Sequence, residues 1–324
     1  MRKALKTAFA LGFFAVASNA MADLNIGDQR ANARSVMEAA GVLANVPYTI
    51  NWHEFANSAP VLEAIASGHL DAGMMGDASL TYAAAAGVKA KAIFVTNYYG
   101  NAVIAAKNST FQSVKDLKGK KIATPKGSAG HASALLALSL VGLGKDDVTF
   151  VSMTPSEATL ALNSGAVDAV ALWDPYISFA VLQTGARILM DGDQLPTLNY
   201  FAASDDAIKN KREDLKDFTR RLAQARVWAT QHPDEYSEII AKLLRLPIDV
   251  AKLKVKREVN EPFNDYQAIL KRQQATIDLY ADAKLIDASF PASNIVDGSF
   301  IPKEEQPGGS PEARNQSAQA GAHP

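Results

Sequence analysis

The chain has 324 residues, carries 33 Lys and Arg against 34 Asp and Glu, and contains no cysteine. A formal charge of −1 gives no basic surface for nucleic acid, and the cysteine count excludes disulfides, thiolate metal ligands and cysteine nucleophiles. Roughly 280 residues of folded chain exceed what one hydrophobic core usually serves, so the length predicts two lobes.

The first 22 residues have the pattern of a cleavable export signal. A basic segment at residues 2–6 precedes the short apolar run Ala8–Val16, and Ala20-Met21-Ala22 is a small-x-small cleavage site. The apolar run is shorter than the about 20 residues that span a bilayer. We therefore expect cleavage after Ala22 and export to a periplasm; the alternative is an N-terminal helix of a cytosolic protein.

Strand and helix patterns alternate after this leader. Leu24–Gly27 predicts a strand, a helix follows up to Gly41, and Tyr48–Phe55 alternates as a second strand. A capped helix, a buried strand, another helix and the strand Lys91–Thr96 complete the order β-α-β-α-β-α-β. This order favours a mostly parallel sheet with helices on both faces.

Part of this pattern occurs twice. Ala64–Asp77 returns 97 residues later as Ala161–Asp174, and six positions are identical between the two copies. Each copy contains a helix, a glycine where that helix ends, a buried strand and an aspartate that begins the next helix. The repeat predicts two lobes of similar structure.

The remaining elements predict how the lobes are connected. Asn101–Lys107 is predicted to be a strand that crosses to the second lobe, Leu198–Ala203 is predicted to be the return strand, and amphipathic helices up to Asp282 are expected to cover the first lobe. The segment that follows is rich in Pro, Gly and Ser and is predicted to be a disordered tail. The predicted boundaries are 1–22 for the leader, 23–103 and 199–300 for the first lobe, 104–198 for the second lobe and 301–324 for the tail.

The strand-to-helix turns predict a binding site. In open α/β sheets, ligands bind beyond the carboxyl ends of the strands, where unpaired amides at helix starts attract anions. Two lobes that face each other across a cleft would bring both sets of turns together. The candidate ligand-binding residues are Gln29, Asn57, Ser58, Gly76, Asp77, Gly127, Ser128, His131, Thr154, Trp173 and Asp174.

Several candidates also have a purely structural interpretation. Ser58 and Thr154 fit helix caps, and His131 fits a surface group as well as an oxyanion donor. Asp77 and Asp174 would repel an anion, so they are expected to turn inward as caps unless one accepts from a ligand amine or hydroxyl. The sequence has no zinc, Walker A, dinucleotide or Gly-x-Ser-x-Gly motif, so we expect no metal, no cofactor and no enzyme activity.

Several further motifs are specific, namely Val167–Tyr176, Gln183–Gly192, Gly76-Asp77-Ala78, Asp116–Lys121, and Lys126-Gly127-Ser128 followed by His131. In these motifs the chain resembles one known family, the periplasmic aliphatic-sulfonate-binding proteins of ABC importers. The resemblance runs from about Leu24 to Leu285. It implies a two-lobed α/β fold of the type II periplasmic binding class, two crossover strands, an acidic ligand head held by helix starts of both lobes, and delivery to an inner-membrane permease by a monomer.

The chain also departs from this pattern. Asp28 stands where relatives tend to carry an aromatic residue, and Ala56-Asn57-Ser58 where they tend to carry Pro-Ala-Gly. An acid at the end of the first strand would favour a zwitterion or an amine-bearing sulfonate. The alternatives are another small ligand of the wider family (nitrate, taurine, a thiamine precursor or an aromatic acid), a fold-related enzyme, or a sensor that reports to a membrane receptor.

Overall fold

Two sheets of five strands organise the residues that the computed structural model describes, which are 23–30, 32–258 and 260–302. The predicted leader and residues 303–324 of the predicted tail lie outside this range. The strands are β1 Asp23–Gln29, β2 Thr49–Phe55, β3 Ala72–Gly76, β4 Ala90–Tyr98, β5 Ala102–Ala105, β6 Lys121–Ala123, β7 Thr149–Val151, β8 Ala169–Leu172, β9 Arg187–Asp191 and β10 Thr197–Ser204.

Helices cover both sheets. The α-helices are α1 Ala33–Ala39, α2 Ser58–Ala66, α3 Asp77–Ala85, α4 Ala129–Leu140, α5 Pro155–Ser164, α6 Tyr176–Phe179, α7 Asp205–Asn210, α8 Arg212–Gln231, α9 Pro233–Leu244, α10 Ile248–Glu258 and α11 Tyr266–Asp282. A π-helical turn, Ala180–Thr184, continues α6. We call the first sheet with α1–α3 and α7–α11 lobe 1, and the second sheet with α4–α6 lobe 2.

The two sheets have the same topology. Their strand orders are β2-β1-β3-β10-β4 and β7-β6-β8-β5-β9. In each sheet the first three strands are parallel, and the fourth is antiparallel to both of its neighbours. That fourth strand is β10 in lobe 1 and β5 in lobe 2, and it does not belong to the repeated β-α units. The sequence repeat therefore corresponds to two lobes of one topology, and the predicted two-lobed α/β fold is confirmed.

The crossings between the lobes differ from the prediction. Strand β5 pairs with β8 and β9 and therefore lies within the sheet of lobe 2, while β10 lies within the sheet of lobe 1. The chain crosses in the short connections Tyr99–Asn101 and Gly192–Pro196 instead. The predicted boundaries at 103 and 198 thus fall inside strands. Ile301, the first residue of the predicted tail, is buried in lobe 1.

Lobe 1 buries both faces of its sheet. Met75 and Tyr200 belong to the apolar layer against α2, α3 and α11, whereas Met74 and Phe201 belong to the layer against α1 and α8. Phe201 stacks on Phe218 of α8 with ring centroids 4.6 Å apart. Burying one such aromatic side chain contributes about 1.5–3 kcal/mol. Because both faces of the sheet are buried, the sequence of β3 is apolar without alternation.

The C-terminal helices connect the lobes as well as covering lobe 1. Leu215, Phe218, Leu222 and Ala225 recur on one face of α8 and are completely buried, as predicted for a covering helix. In addition, α10 packs against α6 and α11 packs against α4. Both α6 and α4 belong to lobe 2. Helices α10 and α11 therefore contact both lobes, whereas the sequence predicted only that they cover lobe 1.

A close approach of backbone to backbone positions the start of α4. A Cβ atom at Gly130 would lie 2.3 Å from the carbonyl oxygen of Ala171 in β8. Only glycine therefore lets the first turn of α4 rest directly on the strand. The turn that precedes α4, Gly127-Ser128, is thereby held at the edge of the sheet.

His131 fastens the same turn from inside. Its ring is buried, its Nδ1 accepts a hydrogen bond from the Gly127 amide at 3.1 Å, and its edge meets the Phe150 ring at a centroid distance of 4.9 Å. Burial, assisted by the positive charge of Lys126, lowers the pKa of His131 to about 4. His131 is therefore a neutral, buried group that supports the turn, and the surface role considered from the sequence is wrong.

We predict that Gly130→Ala destabilises the protein by about 1–3 kcal/mol, because the added methyl group must displace either α4 or β8. Urea unfolding followed by circular dichroism measures the change. Gly144→Ala is the matched control, since the added Cβ would meet only a side-chain oxygen at 4.0 Å. Equal midpoints for the two variants would contradict the close-approach argument.

A second prediction concerns acid stability. The unfolded chain protonates His131 near pH 6.5 and the folded chain only near 4, so its contribution is complete above pH 6.5 and is lost as the pH falls towards 4. The loss is on the order of 2–3 kcal/mol. We expect His131→Asn to remove this part of the pH dependence of the free energy of unfolding, measured by urea titration at several pH values. Replacing the exposed His232 in the same way is the control, and an unchanged slope in His131→Asn would contradict the prediction.

Candidate functional site

A cleft of about 1000 Å³ lies between the lobes, and the starts of α2, α3, α4, α5 and α6 line it. Two of these helices belong to lobe 1 and three to lobe 2. The predicted residues that line the cleft are Gln29, Asn57, Ser58, Gly76, Gly127, Ser128, Thr154, Trp173 and Asp174. Asp77 and His131 lie behind the lining, in the protein interior.

On the lobe 1 side, polar side chains join the end of β1 to the start of α2. The Gln29 amide donates to Ser58 Oγ at 3.2 Å and to the Met74 carbonyl at 3.3 Å. Ser58 was predicted to cap α2, but Asn57 is the cap, as its side-chain oxygen accepts from the Ala59 amide at 3.1 Å and Ser58 is the first residue of the helix. Since Ser58 Oγ accepts from Gln29, its own proton is available to an acceptor in the cleft.

On the lobe 2 side, the Gly127-Ser128 turn is held by both lobes. Ser128 caps α4 by accepting from the His131 amide at 3.2 Å, and the Tyr280 hydroxyl of α11 donates to the Ser128 carbonyl at 3.3 Å. Gly127 has a φ of +74°, and a Cβ there would lie 3.1 Å from the Tyr82 ring of lobe 1. The start of α4 is therefore fixed in the interface between the lobes.

Thr154 forms the predicted capping box at the start of α5. Its hydroxyl donates to Glu157 Oε2 at 2.7 Å, and its amide donates to the same oxygen at 2.9 Å. The capping prediction is confirmed, and it changes what Thr154 offers a ligand. With its proton directed to Glu157, the hydroxyl presents acceptor lone pairs rather than a donor.

Asp77 and Asp28 face the interior of lobe 1. Asp77 accepts from the Ala78 amide at 2.7 Å and from Thr276 at 3.2 Å, and burial raises its pKa. Asp28 accepts from the amides of Ala33 and Arg34 at the start of α1, and burial raises its pKa to about 6. Selectivity for a zwitterion was predicted on the premise that Asp28 faces the ligand. That premise is wrong, because the carboxylate caps α1 instead.

Asp174 lines the cleft but is engaged by protein donors. Its Oδ1 accepts from the amide and hydroxyl of Ser178 at 2.8 and 2.5 Å, and its Oδ2 accepts from Arg257 at 2.9 Å. Burial raises the pKa of Asp174 to about 6 against the opposing charge of Arg257. Its neighbour Trp173 packs edge-to-face on Tyr176 at a centroid distance of 6.3 Å, and both rings form part of the cleft wall.

Sequence reasoning missed the polar residues at the crossover end of the cleft. These are Tyr98, Asn101, Thr197, Lys254, Glu258 and Asn260. Lys254 and Glu258 form a buried ion pair at 2.6 Å on α10. Burial lowers the pKa of Lys254, but Glu258, Tyr236 and Asp174 together outweigh this effect and the net shift is upward. Their i, i+4 spacing was visible in the sequence, yet such pairs usually lie on a solvated face.

Apolar side chains complete the cleft. They come from both lobes and from the α9–α10 connection, and they include Phe55, Leu62, Met153, Trp173, Tyr176, Leu244 and Leu246. Exposed cations also stand at the lining, namely Arg30 and Lys126. The arrangement suits a molecule with an anionic head and an apolar body.

Within 23–30, 32–258 and 260–302, no helix combines the length and apolar character needed to cross a membrane. Over the same residues, no three His, Asp or Glu side chains converge as metal ligands.

Comparison with known proteins agrees with this geometry. Residues 50–236 match the model of the family described as NMT1/THI5 like. The chain is 32% identical over 300 residues to a protein of Escherichia coli (strain K12) named as an aliphatic sulfonates-binding protein, with 88% of this chain and 93% of that protein covered. A protein with the same name from Bacillus subtilis (strain 168) is 32% identical over 260 residues, 78% of each chain.

A solved structure is similar across both lobes. The alkanesulfonate-binding protein SsuA from Xanthomonas axonopodis pv. citri, bound to MOPS, has a TM-score of 0.76 and 27% identity, with 85% of this chain and 98% of that chain covered. The resemblance inferred from the sequence motifs is therefore confirmed. The family model, the relatives and the two-lobed architecture together show that the chain belongs to the NMT1/THI5-like family.

Proposed function

We propose that this chain is the solute-binding component of an ABC importer and that it captures a small organosulfonate between its lobes. The observation that carries the proposal is the convergence of helix starts from both lobes on one cleft. Amides in the first turn of a helix have no intrahelical acceptor, and the helix dipole adds partial positive charge there. A site built in this way favours an anion without an excess of cationic side chains.

The start of α4 offers the best place for the acidic head. Elsewhere, proline removes donors early in α2 and α5, at Pro60 and Pro155, and side-chain caps occupy other amides. At α4 the Ser128 cap accepts from the amide of His131. The amides of Ala129 and Gly130 come before His131 in the helix and are the ones that a ligand can use. Ser128 is buried at the lining, and its hydroxyl accepts from the helix, so its proton is available to a sulfonate oxygen.

The size and walls of the cleft favour a ligand with a body over a bare inorganic anion. A volume of about 1000 Å³ far exceeds what nitrate fills, and apolar side chains from both lobes line it. The names of the relatives from Escherichia coli and Bacillus subtilis support the sulfonate class. Taurine is an amine-bearing member of the sulfonate class, whereas nitrate, a thiamine precursor and an aromatic acid are the competing ligands within the wider family.

Transport supplies the setting for this binding. The leader pattern of residues 1–22 and the relatives' names support export to the periplasm, where a monomer would load and then dock on its permease. Capture requires the ligand to contact both lobes, since only then does binding favour the closed arrangement over an open one. No step of this cycle needs catalysis.

A panel of small ligands tests the substrate class. We expect butanesulfonate and MOPS to raise the Tm, because a tight ligand stabilises the folded state by mass action. Nitrate, which cannot reach the apolar walls, and butanoate, which has one acceptor oxygen fewer, should shift it less. Differential scanning fluorimetry with calorimetric confirmation measures the effect. If an aromatic acid or a thiamine precursor gave the only shift, the organosulfonate assignment would fail while the importer role would stand. A shift by taurine alone would restrict the class to amine-bearing sulfonates.

Ser128→Ala should weaken sulfonate binding about tenfold to a hundredfold, since a hydrogen bond to a charged group contributes about 1.5–3 kcal/mol. Isothermal titration calorimetry with butanesulfonate measures the change in Kd. Ser139→Ala is the control, because Ser139 lies near the other end of α4 and donates to the Leu136 carbonyl. A urea midpoint for each variant separates loss of the cap from loss of the ligand contact. Unchanged affinity in a folded Ser128→Ala protein would remove α4 from the site.

A further inference from the structure

Arg257 connects three parts of the molecule, namely α10, the turn before α6 and the first crossover. It projects from α10 of lobe 1, its Nε donates to Asp174 Oδ2 of lobe 2 at 2.9 Å, and its Nη2 donates to the Asn101 carbonyl in the first crossover at 3.3 Å. The Asp174 side chain is completely buried, and that of Arg257 is 12% exposed. The pair therefore spans the lobes at the crossover, away from bulk solvent.

The surroundings of the pair hold each partner in place. The Asp174 amide donates to the Gly100 carbonyl at 3.2 Å, and its second carboxylate oxygen is occupied by Ser178. On the opposite side, Glu258 of α10 accepts from the Tyr98 hydroxyl at 3.4 Å, and the Tyr99 amide donates to the Glu258 carbonyl at 3.3 Å. Both ends of the Arg257 contact are thus tied to the same crossover connection, Tyr99–Asn101.

The repeat places a related arrangement in lobe 1. Asp77, the residue equivalent to Asp174, accepts from the amide of Leu198, which lies just after the second crossover, at 3.4 Å. It also accepts from Thr276 of α11, a C-terminal helix. Each equivalent aspartate therefore stands beside a crossover and takes a side-chain donor from a C-terminal helix. The difference is that only the Asp174 contact joins one lobe to the other.

A contact of this kind contributes orientation more than net stability. Removing two charges from water costs several kcal/mol per ion, which the attraction between them offsets only with good geometry. Here the geometry is good, since both carboxylate oxygens and two guanidinium nitrogens are hydrogen-bonded. Such a contact is satisfied in one relative arrangement of the groups and poorly in others.

We infer that Arg257 is a positioning residue for the ligand cleft. Through Asp174 it holds the Trp173–Tyr176 wall of lobe 2 at a set orientation to lobe 1, so that both lobes present their helix starts to one ligand. The residue touches no ligand in this role. The inference rests on the proposed function only for its effect on binding, because the orientation of the lobes can be measured without a ligand.

Pulsed electron spin resonance measures that orientation directly. The chain contains no cysteine, so Ala85→Cys in lobe 1 and Asn163→Cys in lobe 2, both at exposed positions, accept one spin label each. In ligand-free protein we expect Arg257→Gln to broaden or shift the distance distribution between the labels. Arg257→Lys, which keeps the charge but not the planar fork, should give an intermediate distribution. Lys211→Gln is the matched control, because its ion pair with Asp71 at 2.8 Å lies within lobe 1.

Binding supplies the second readout. Arg257→Gln should weaken butanesulfonate binding roughly tenfold, since only the fraction of molecules with the competent lobe orientation binds. Lys211→Gln should change the urea midpoint without changing the Kd. If Arg257→Gln does not fold, Asp174→Asn replaces it with the same expected results. Distance distributions equal to those of the unsubstituted labelled protein would overturn the inference, whatever ligand the protein takes. Failure of the unsubstituted protein to bind any sulfonate would instead overturn the proposed function.

Discussion

The unpaired amides at the starts of helices are the constraint on which the rest of the structure depends. Every helix leaves donors in its first turn without an acceptor, and these must be satisfied by caps, by water or by a ligand. The fold gathers such turns from both lobes around one cleft. Asn57, Ser128 and Thr154 satisfy part of the demand. An anion can accept hydrogen bonds from the first-turn amides that these caps do not satisfy.

Two devices position the donors. Inside lobe 2, close packing at Gly130 and the neutral ring of His131 hold the turn before α4 against the sheet. Between the lobes, the C-terminal helices contribute Tyr280 to the Ser128 carbonyl and Arg257 to Asp174. A binding site that uses two lobes requires both kinds of restraint, since a donor displaced by an ångström loses most of its hydrogen bond.

The local sequence pattern of the three buried aspartates does not determine the direction of their side chains, whereas their environment in the fold does. Asp28 lies at the end of β1, Asp77 is the first residue of α3, and Asp174 lies between β8 and α6. Each position at a strand-to-helix turn is compatible with a side chain that faces a ligand. In the structure each carboxylate is turned to protein donors, which explains how acidic residues can lie near the proposed anion site without opposing it. Burial raises the pKa of all three, and their hydrogen bonds and nearby cations only partly offset that effect.

The order of strands and helices, the internal repeat, the capping box at Thr154 and the family could all be read from the amino-acid order, because periodicity, caps and glycine stops are local properties. Nine of the predicted cleft residues were found by the same logic, since the carboxyl ends of parallel strands must share an edge. The direction of the Asp28 side chain, the burial of His131, the crossover connections and the role of Lys254, Arg257 and Glu258 depended on packing between distant segments. A charged residue on an amphipathic helix has the same sequence pattern whether it meets water or a buried partner. Only the neighbours brought by the fold distinguish the two cases.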